Sequence, residues 1–314
     1  MRGLLGTGAM LGLGLLAGCG GVPGPTATPA DPTPPVPSLM TLAPRPTLPP
    51  VACDGFVTWT GLPAAVANYG GAWNGGDDEQ FREGRLVVAL AEDASFVDPT
   101  MEKRVVGREG LGAHIAAAHE RNADTYYEPR EWIPSDAHHG YAQLRWRLCA
   151  RDGDPLLLGD DFLELDADGR ITRATRFFAT EGTEPARPVC HLPLGDWTGV
   201  PDIARKWAAT TVSEPATRAA LVAEIFAESG SYVDPSDDVP VLGHHAIVER
   251  VAGMLWAGAF FEAAAWTEGD DHHDYMRLRW RLCDREAPGL EGVDYVEIGE
   301  DGRLARVVGF FPWP

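Results

Sequence analysis

Residues 63–178 of this 314-residue chain are echoed by residues 201–311, and a chain that carries one motif order twice is constrained to fold as two like units. The first copy reads Phe96-Val97-Asp98-Pro99, Leu144-Arg145-Trp146-Arg147-Leu148-Cys149, Asp168-Gly169-Arg170-Ile171 and Phe177-Phe178. The second answers with Tyr232-Val233-Asp234-Pro235, Leu278-Arg279-Trp280-Arg281-Leu282-Cys283, Asp301-Gly302-Arg303-Leu304 and Phe310-Phe311. The register is 136 residues at Asp98 and Asp234 and 134 at Trp146 and Trp280, so small insertions and deletions account for the drift. Any site expected in one copy is therefore expected in both.

Ahead of the repeats, Arg2, a short apolar run and Leu16-Ala17-Gly18-Cys19 make up an export-type leader too short to span a bilayer. It resembles a bacterial lipoprotein signal, which implies cleavage before Cys19 and a lipid on its thiol. The expectation is a signal peptide over 1–18 and an extracytoplasmic chain held to a membrane of the cell envelope through Cys19. Gly20 to Pro50 holds 11 prolines and almost no charge. Such a stretch cannot bury enough apolar surface to offset its conformational entropy, so 19–52 is predicted to be a lipid-anchored, extended linker.

The net charge of −20 argues against nucleic acid or anionic headgroups as partners. Beyond Cys19 stand four cysteines, Cys53, Cys149, Cys190 and Cys283. Of their three pairings, only Cys53–Cys149 with Cys190–Cys283 gives each repeat an equivalent bridge, the natural reading in an exported protein. No CxxC or HxxxH spacing accompanies them, so no metal is expected. Without a phosphate loop, nucleophile elbow or zinc signature, no cofactor is expected either.

Each repeat, 53–182 and 188–314, opens with helical stretches, Ala64 to Trp73 and Asp77 to Leu90 in the first copy. A short strand stops at Pro99, and Gly107 to Ala118 reads as a third helix. The period then changes. Tyr141 to Cys149 alternates, with Leu144, Trp146 and Leu148 on one face, and Asp161 to Asp166 and Arg170 to Phe178 complete a meander. Helices followed by long antiparallel strands predict an α+β class: two tandem cone-shaped barrels, each a curved sheet wrapped around its N-terminal helices.

The motif order Ala91 to Pro99, Gly107-Arg108-Glu109-Gly110-Leu111 and Asp161 to Ile171 resembles the SnoaL-like branch of the nuclear-transport-factor-2-like superfold, which includes polyketide cyclases and ketosteroid isomerase. In the isomerase the Asp of the Asp-Pro step is the general base, a position matched by Asp98 and Asp234. A second Asp, kept protonated by an apolar site, matches Asp161 and Asp294. The family's helical Tyr donor has no counterpart at Trp73 or Trp207, the nearest positions in that reading, and an indole N–H is a far weaker acid than a phenol. Asp98 has a plainer alternative, capping the turn after its strand.

His114 on the third helix and its register partner Arg250 are expected to line the same space, with Trp73, Trp146, Phe178, Trp207, Trp280 and Phe311 as aromatic walls. Ala174, Arg176 and Phe178 share a face of the last strand. If that face is internal, Arg176 offsets the carboxylates of the first copy, and Gly309 leaves the second more open. The adjacent pairs His138-His139 and His272-His273 read as exposed turn residues. The resemblance implies two domains packed as an intramolecular pseudo-dimer. It leaves three functions open: binding of a small, partly apolar molecule, cofactor-independent acid/base catalysis of isomerase, dehydratase or cyclase type, and a scaffold.

Overall fold

The computed structural model describes residues 53, 59, 61–75, 78–151, 155–178, 199–254, 260–265, 270–283 and 288–312. The leader, Cys19, the linker and Cys190 lie outside the described residues, and with Cys190 the expected Cys190–Cys283 bridge. Among the described residues no helix is long and apolar enough to cross a membrane.

In the first repeat α1 (Ala64–Ala72) and α2 (Glu79–Ala89) pack together and are followed by β1 (Leu90–Val97), the edge strand β2 (Val105–Val106) and α3 (Gly107–Arg121). The side chain of Asp78 accepts from the backbone N–H of Phe81 at 2.9 Å and starts α2, a cap worth about 1 kcal/mol. Then come β3 (Thr125–Pro129), β4 (Ala137–His138), β5 (Tyr141–Ala150), β6 (Pro155–Leu165) and β7 (Ile171–Phe178), in the sheet order β2-β1-β7-β6-β5-β3 with β4 on β5. The second repeat gives α4 (Asp202–Val212), α5 (Pro215–Ile225), β8 (Phe226–Val233), β9 (Val241–Leu242) and α6 (Gly243–Met254). Its remaining strands are β10 (Phe260–Ala265), β11 (Asp271–His272), β12 (Tyr275–Cys283), β13 (Pro288–Ile298) and β14 (Leu304–Phe310). Their order, β10-β12-β13-β14-β8-β9 with β11 on β12, is that of the first sheet. Both repeats are thus the expected α+β unit.

Two strands depart from expectation. β1 begins at Leu90, directly after α2, where a helix and then a short strand from Ser95 were expected. The exposed neighbours Glu92 and Asp93 break the alternation, and the pairing with β7 shifts register between Leu90 and Ser95, so a period-2 reading misses the start. β3 was not foreseen. It is fastened to the end of α1 by Asn74, whose Nδ2 donates to the carbonyl of Tyr127 at 2.6 Å and whose Oδ1 accepts from its N–H at 2.7 Å.

Inside each sheet lies a core against the helices: Val66, Leu86, Phe96, Ile115, Leu144 and Leu163 in the first, with Val222, Phe226, Ile247, Leu278, Val296 and Val307 in the second. The opposite sheet faces are also buried, because Phe162 and Phe177 share a cluster with Tyr275, Val293, Tyr295 and Phe310. Phe162 stacks on Tyr295 at 4.9 Å, and burial of such a ring is worth about 2–3 kcal/mol. Around it, Arg306 meets Glu164 at 2.8 Å and Arg173 meets Glu297 at 3.0 Å, a pseudo-symmetric exchange of ion pairs. A further contact occurs once: buried Arg277 reaches Asp270 at 2.6 Å and Asp160 at 2.5 Å. In register, Asp160 is matched by Val293 and Arg277 by Gln143.

Cys53 is joined to Cys149, their Cα atoms 6.1 Å apart. Glu128 packs beside that pair and bonds Arg147. Both sulfurs being taken up by each other, this cluster is not a free set of metal ligands.

Candidate functional site

Both buried carboxylates of the central strands are aimed by a glycine seat. Trp146 on β5 lies across from Gly159 on β6, and Trp280 on β12 across from Gly292 on β13. A Cβ on either glycine would stand 2.2 Å from the indole Cζ2, so only glycine lets the ring lie flat on the neighbouring strand. The ring then points its N–H two residues along. Trp146 donates to Asp161 at 2.9 Å, and Trp280 donates to Asp294 at 2.8 Å.

What stands opposite the carboxylate differs. Asp161 pairs across the sheet with Arg176, and Asp294 with Gly309. Fully buried Asp161 accepts a two-pronged bond from Arg176, Nε and Nη2 each at 2.7 Å. The guanidinium carbon sits 3.5 Å from the centre of the Trp73 ring and 4.6 Å from that of Trp146. Burial opposes the charge on Arg176, but Asp161 more than offsets it and raises its pKa. Asp161 was expected to be a neutral donor; the structure corrects this, because a carboxyl group gripped on both oxygens by a guanidinium is an acceptor.

In the second repeat the arginine is missing and an indole takes its place. Trp207 on α4 donates to Asp294 Oδ2 at 2.8 Å, while Trp280 donates to Oδ1. Burial pushes the pKa of Asp294 up to about 6, the two indole bonds pull against it, and Asp234 adds to the rise. Gly309 keeps the strand close: a Cβ there would lie 3.1 Å from Asp294 Oδ1 and 3.4 Å from the Tyr232 hydroxyl.

The Asp-Pro aspartates divide their two oxygens between the two roles considered from sequence. Asp98 Oδ1 caps the turn, accepting from Thr100 N at 2.8 Å and Oγ1 at 2.6 Å, while Oδ2 faces His114 Nε2 at 3.0 Å. Burial works against the anion, yet the bonds from His114 and Thr100 prevail and bring the pKa of Asp98 to about 2. Asp234 Oδ1 accepts from Ser236 N at 2.8 Å and Oγ at 2.6 Å. Its Oδ2 accepts from Arg250 at 2.5 Å and the Tyr232 hydroxyl at 2.9 Å. Arg250 also grips Asp237 at 2.5 Å. His114 and Arg250 thus hold equivalent places, as the register implied.

The aromatic residues gather around these groups. Trp73 packs on Phe96 at 5.6 Å and on His114 at 5.9 Å, and Phe178 and Phe311 stand 6.2 and 5.8 Å from Trp146 and Trp280. Two members were missed from sequence. Tyr69, one turn ahead of Trp73 on α1, is fully buried beside Asp161; burial first and that carboxylate second hold its pKa well above the ordinary phenol value. Its hydroxyl stands close to both Asp161 and Trp73, but neither it nor the Trp73 indole N–H makes a bond of full hydrogen-bond geometry. The i, i+4 spacing of Tyr69 and Trp73 on one helix face was the available signal. The other is Tyr232, where the first repeat has Phe96. A hydroxyl has moved from α1 in one copy, where the second has Ile203, to the strand in the other.

The histidine pairs are not exposed turn residues. His139 and Gly140, with φ of 51° and 78°, and His273 and Asp274, with φ of 51° and 66°, form the left-handed corners of the β4–β5 and β11–β12 hairpins. His138 and His272 reach into the other repeat.

No family model and no curated protein matches the sequence. Among solved structures, a SnoaL-like family protein from Agrobacterium tumefaciens is 30% identical over 36% of this chain and 93% of its own, with a TM-score of 0.33. About one repeat's length of this chain is thus similar to a SnoaL-like protein along nearly all of that protein. An NTF2-like protein of unknown function from Exiguobacterium shows 19% identity over 37% of this chain and 98% of its own, TM-score 0.31. A structure described as a ketosteroid isomerase, from Kribbella flavida, shows 22% over 44% and 86%, TM-score 0.29.

Proposed function

We propose that this SnoaL-like chain is an extracytoplasmic binding protein, held to the cell envelope by lipid on Cys19, whose two domains pack as an intramolecular pair and take up a small, partly apolar molecule. The observation that carries the reading is the state of the first site. Its carboxylates are spent on Arg176 and on His114 and Thr100, while two buried donors, the Tyr69 hydroxyl and the Trp73 N–H, lie near one another and Asp161 without a bond of full hydrogen-bond geometry. A buried donor without a well-placed acceptor costs up to about 1–3 kcal/mol, which a ligand oxygen accepting from either of them would recover. The ligand class is thus an apolar body for the aromatic walls with one carbonyl or similar acceptor.

A second reading has support from the second site alone. Asp294, with its pKa near 6, stands with Asp234, a second buried carboxyl group that contributes to that rise, and such a pair is what acid/base chemistry requires. Arg250, Tyr232 and Ser236 all bond Asp234, so both its oxygens are already engaged and binding is favoured over turnover.

The test is a thermal-shift screen of residues 51–314 with steroids, aromatic polyketides, fatty acids and small acids, repeated on Tyr69→Phe and Asp294→Asn. A compound that stabilises the parent and loses its effect in Tyr69→Phe supports binding at the first site. Turnover of any compound, abolished by Asp294→Asn, overturns it in favour of catalysis. The absence of any shift rejects both in favour of a scaffold. Lipid-labelled precursor incorporated by the full chain and not by Cys19→Ala tests the anchor.

A further inference from the structure

The histidines at the hairpin corners tie each repeat to the site of the other. His272 Nε2 lies 2.9 Å from the carbonyl oxygen of Arg176, and His138 Nε2 lies 2.9 Å from that of Gly309. These are not arbitrary carbonyls. Arg176 and Gly309 stand directly across the sheet from Asp161 and Asp294, one residue past the point where β1 and β8 stop pairing with the last strand. Each ring also packs on the next aromatic of that strand, His272 on Phe177 at 4.9 Å and His138 on Phe310 at 4.6 Å.

The proton positions follow from the acceptors. A carbonyl can only accept, so Nε2–H of His272 donates and its Nδ1 is bare. That bare nitrogen stands 3.1 Å from His273 Nδ1, and the same relay in the first repeat places His138 Nδ1 3.0 Å from His139 Nδ1. The second histidine of each pair, held at the left-handed hairpin corner, therefore donates to the first and fixes its tautomer. Burial, foremost, holds both His138 and His272 near a pKa of about 4, so they are neutral over the ordinary pH range.

We infer that each site is a composite of the two repeats: His272 is a positioning residue for the Arg176–Asp161 pair of the first domain, and His138 for the Gly309–Asp294 contact of the second. By fixing the carbonyl, each histidine sets the height of the last strand beside the buried carboxylate. The inference extends the binding reading, but its test reads side-chain geometry without any ligand and so can fail independently of it.

The experiment uses the indole N–H resonances of the full folded chain. In His272→Phe, which keeps the ring on Phe177 and deletes the donor, the Trp146 signal moves by several line widths while those of Trp207 and Trp280 stay. His138→Phe gives the reverse. His272→Gln, whose amide reaches the carbonyl as Nε2–H does, returns Trp146 to its parental position. The inference is overturned if Trp146 does not move in His272→Phe, if the indoles of both repeats move together, or if the glutamine variant folds but leaves Trp146 displaced. Should the phenylalanine variant fail to fold, His272→Leu, which also lacks the donor, replaces it under the same criterion.

Discussion

Asn at Asp294 and Asn at Asp161 are predicted to act in different ways although they occupy one position of the repeat. Asp294 ionises near 3.8 in the unfolded chain and near 6 in the folded one. Between those values the folded state holds more protons, so stability falls as pH rises through the window, and the whole penalty stands above about pH 6. At about 1.4 kcal/mol per unit, a rise of about two units makes that penalty about 3 kcal/mol. Asn cannot ionise and escapes it. It also cannot accept from both indoles, so one of the Trp207 and Trp280 N–H groups loses its partner at about 1–3 kcal/mol, independent of pH. The prediction is therefore a slope. Urea unfolding followed by far-ultraviolet circular dichroism at about pH 4 and about pH 7.5 shows the variant less stable than the parent in acid and level with it or above it at neutral pH. The gap changes by about 3 kcal/mol in the variant's favour. Asp98, with its pKa lowered to about 2, gives the opposite dependence below 3.8, shared by both chains and cancelling in the difference. Asp161→Asn leaves Arg176 buried beside a neutral amide, and the loss is about 3–5 kcal/mol. A gap between Asp294→Asn and the parent that is the same at both pH values refutes the raised pKa of Asp294.

Gly159→Ala and Gly292→Ala each drive a Cβ to 2.2 Å from an indole, and the displaced Trp146 or Trp280 loses its bond to the carboxylate. Each is expected to lose about 1–3 kcal/mol in urea unfolding and to shift the corresponding indole resonance; unchanged resonances reject the glycine seat. The Cys53–Cys149 bond spans 96 residues, and for a loop of that size chain entropy gives about 4–5 kcal/mol. Thiol titration of the unreduced, denatured protein is expected to find neither Cys53 nor Cys149 free, and Cys53→Ser to lower the midpoint by a corresponding amount.

The sequence carried the duplication, the α+β class and the family resemblance because these depend on local pattern and motif order. Strand alternation also marked Leu144, Trp146 and Asp161 as turning inward, and these side chains are buried. It did not disclose Tyr69, whose importance comes from β6 bringing Asp161 beneath α1, a contact across 92 positions of chain. The histidine pairs were read as exposed for a similar reason. Turn chemistry marks a corner correctly, but nothing local says that another domain covers it.

The duplication explains why the two sites can differ so far within one fold. A symmetric homodimer must carry every substitution in both sites, whereas a fused pair can change one and retain the other. Exchanging an arginine for glycine opposite the carboxylate has consequences that propagate in order. With Arg176 present, Asp161 is satisfied and Trp73 lies under the guanidinium, its N–H turned to neither carboxylate oxygen in full hydrogen-bond geometry. With Gly309 instead, Trp207 takes the free oxygen of Asp294, no positive charge offsets burial there, and the pKa rises into the range where a proton can be exchanged near neutrality. The single-copy ion pair between Arg277 and Asp160 has the same character: in a self-pairing of the second repeat Val293 would face Arg277, and in a self-pairing of the first Asp160 would face Gln143. Breaking such a pair leaves a buried charge without its partner, about 3–5 kcal/mol, so the contact favours each repeat pairing with the other over pairing with itself.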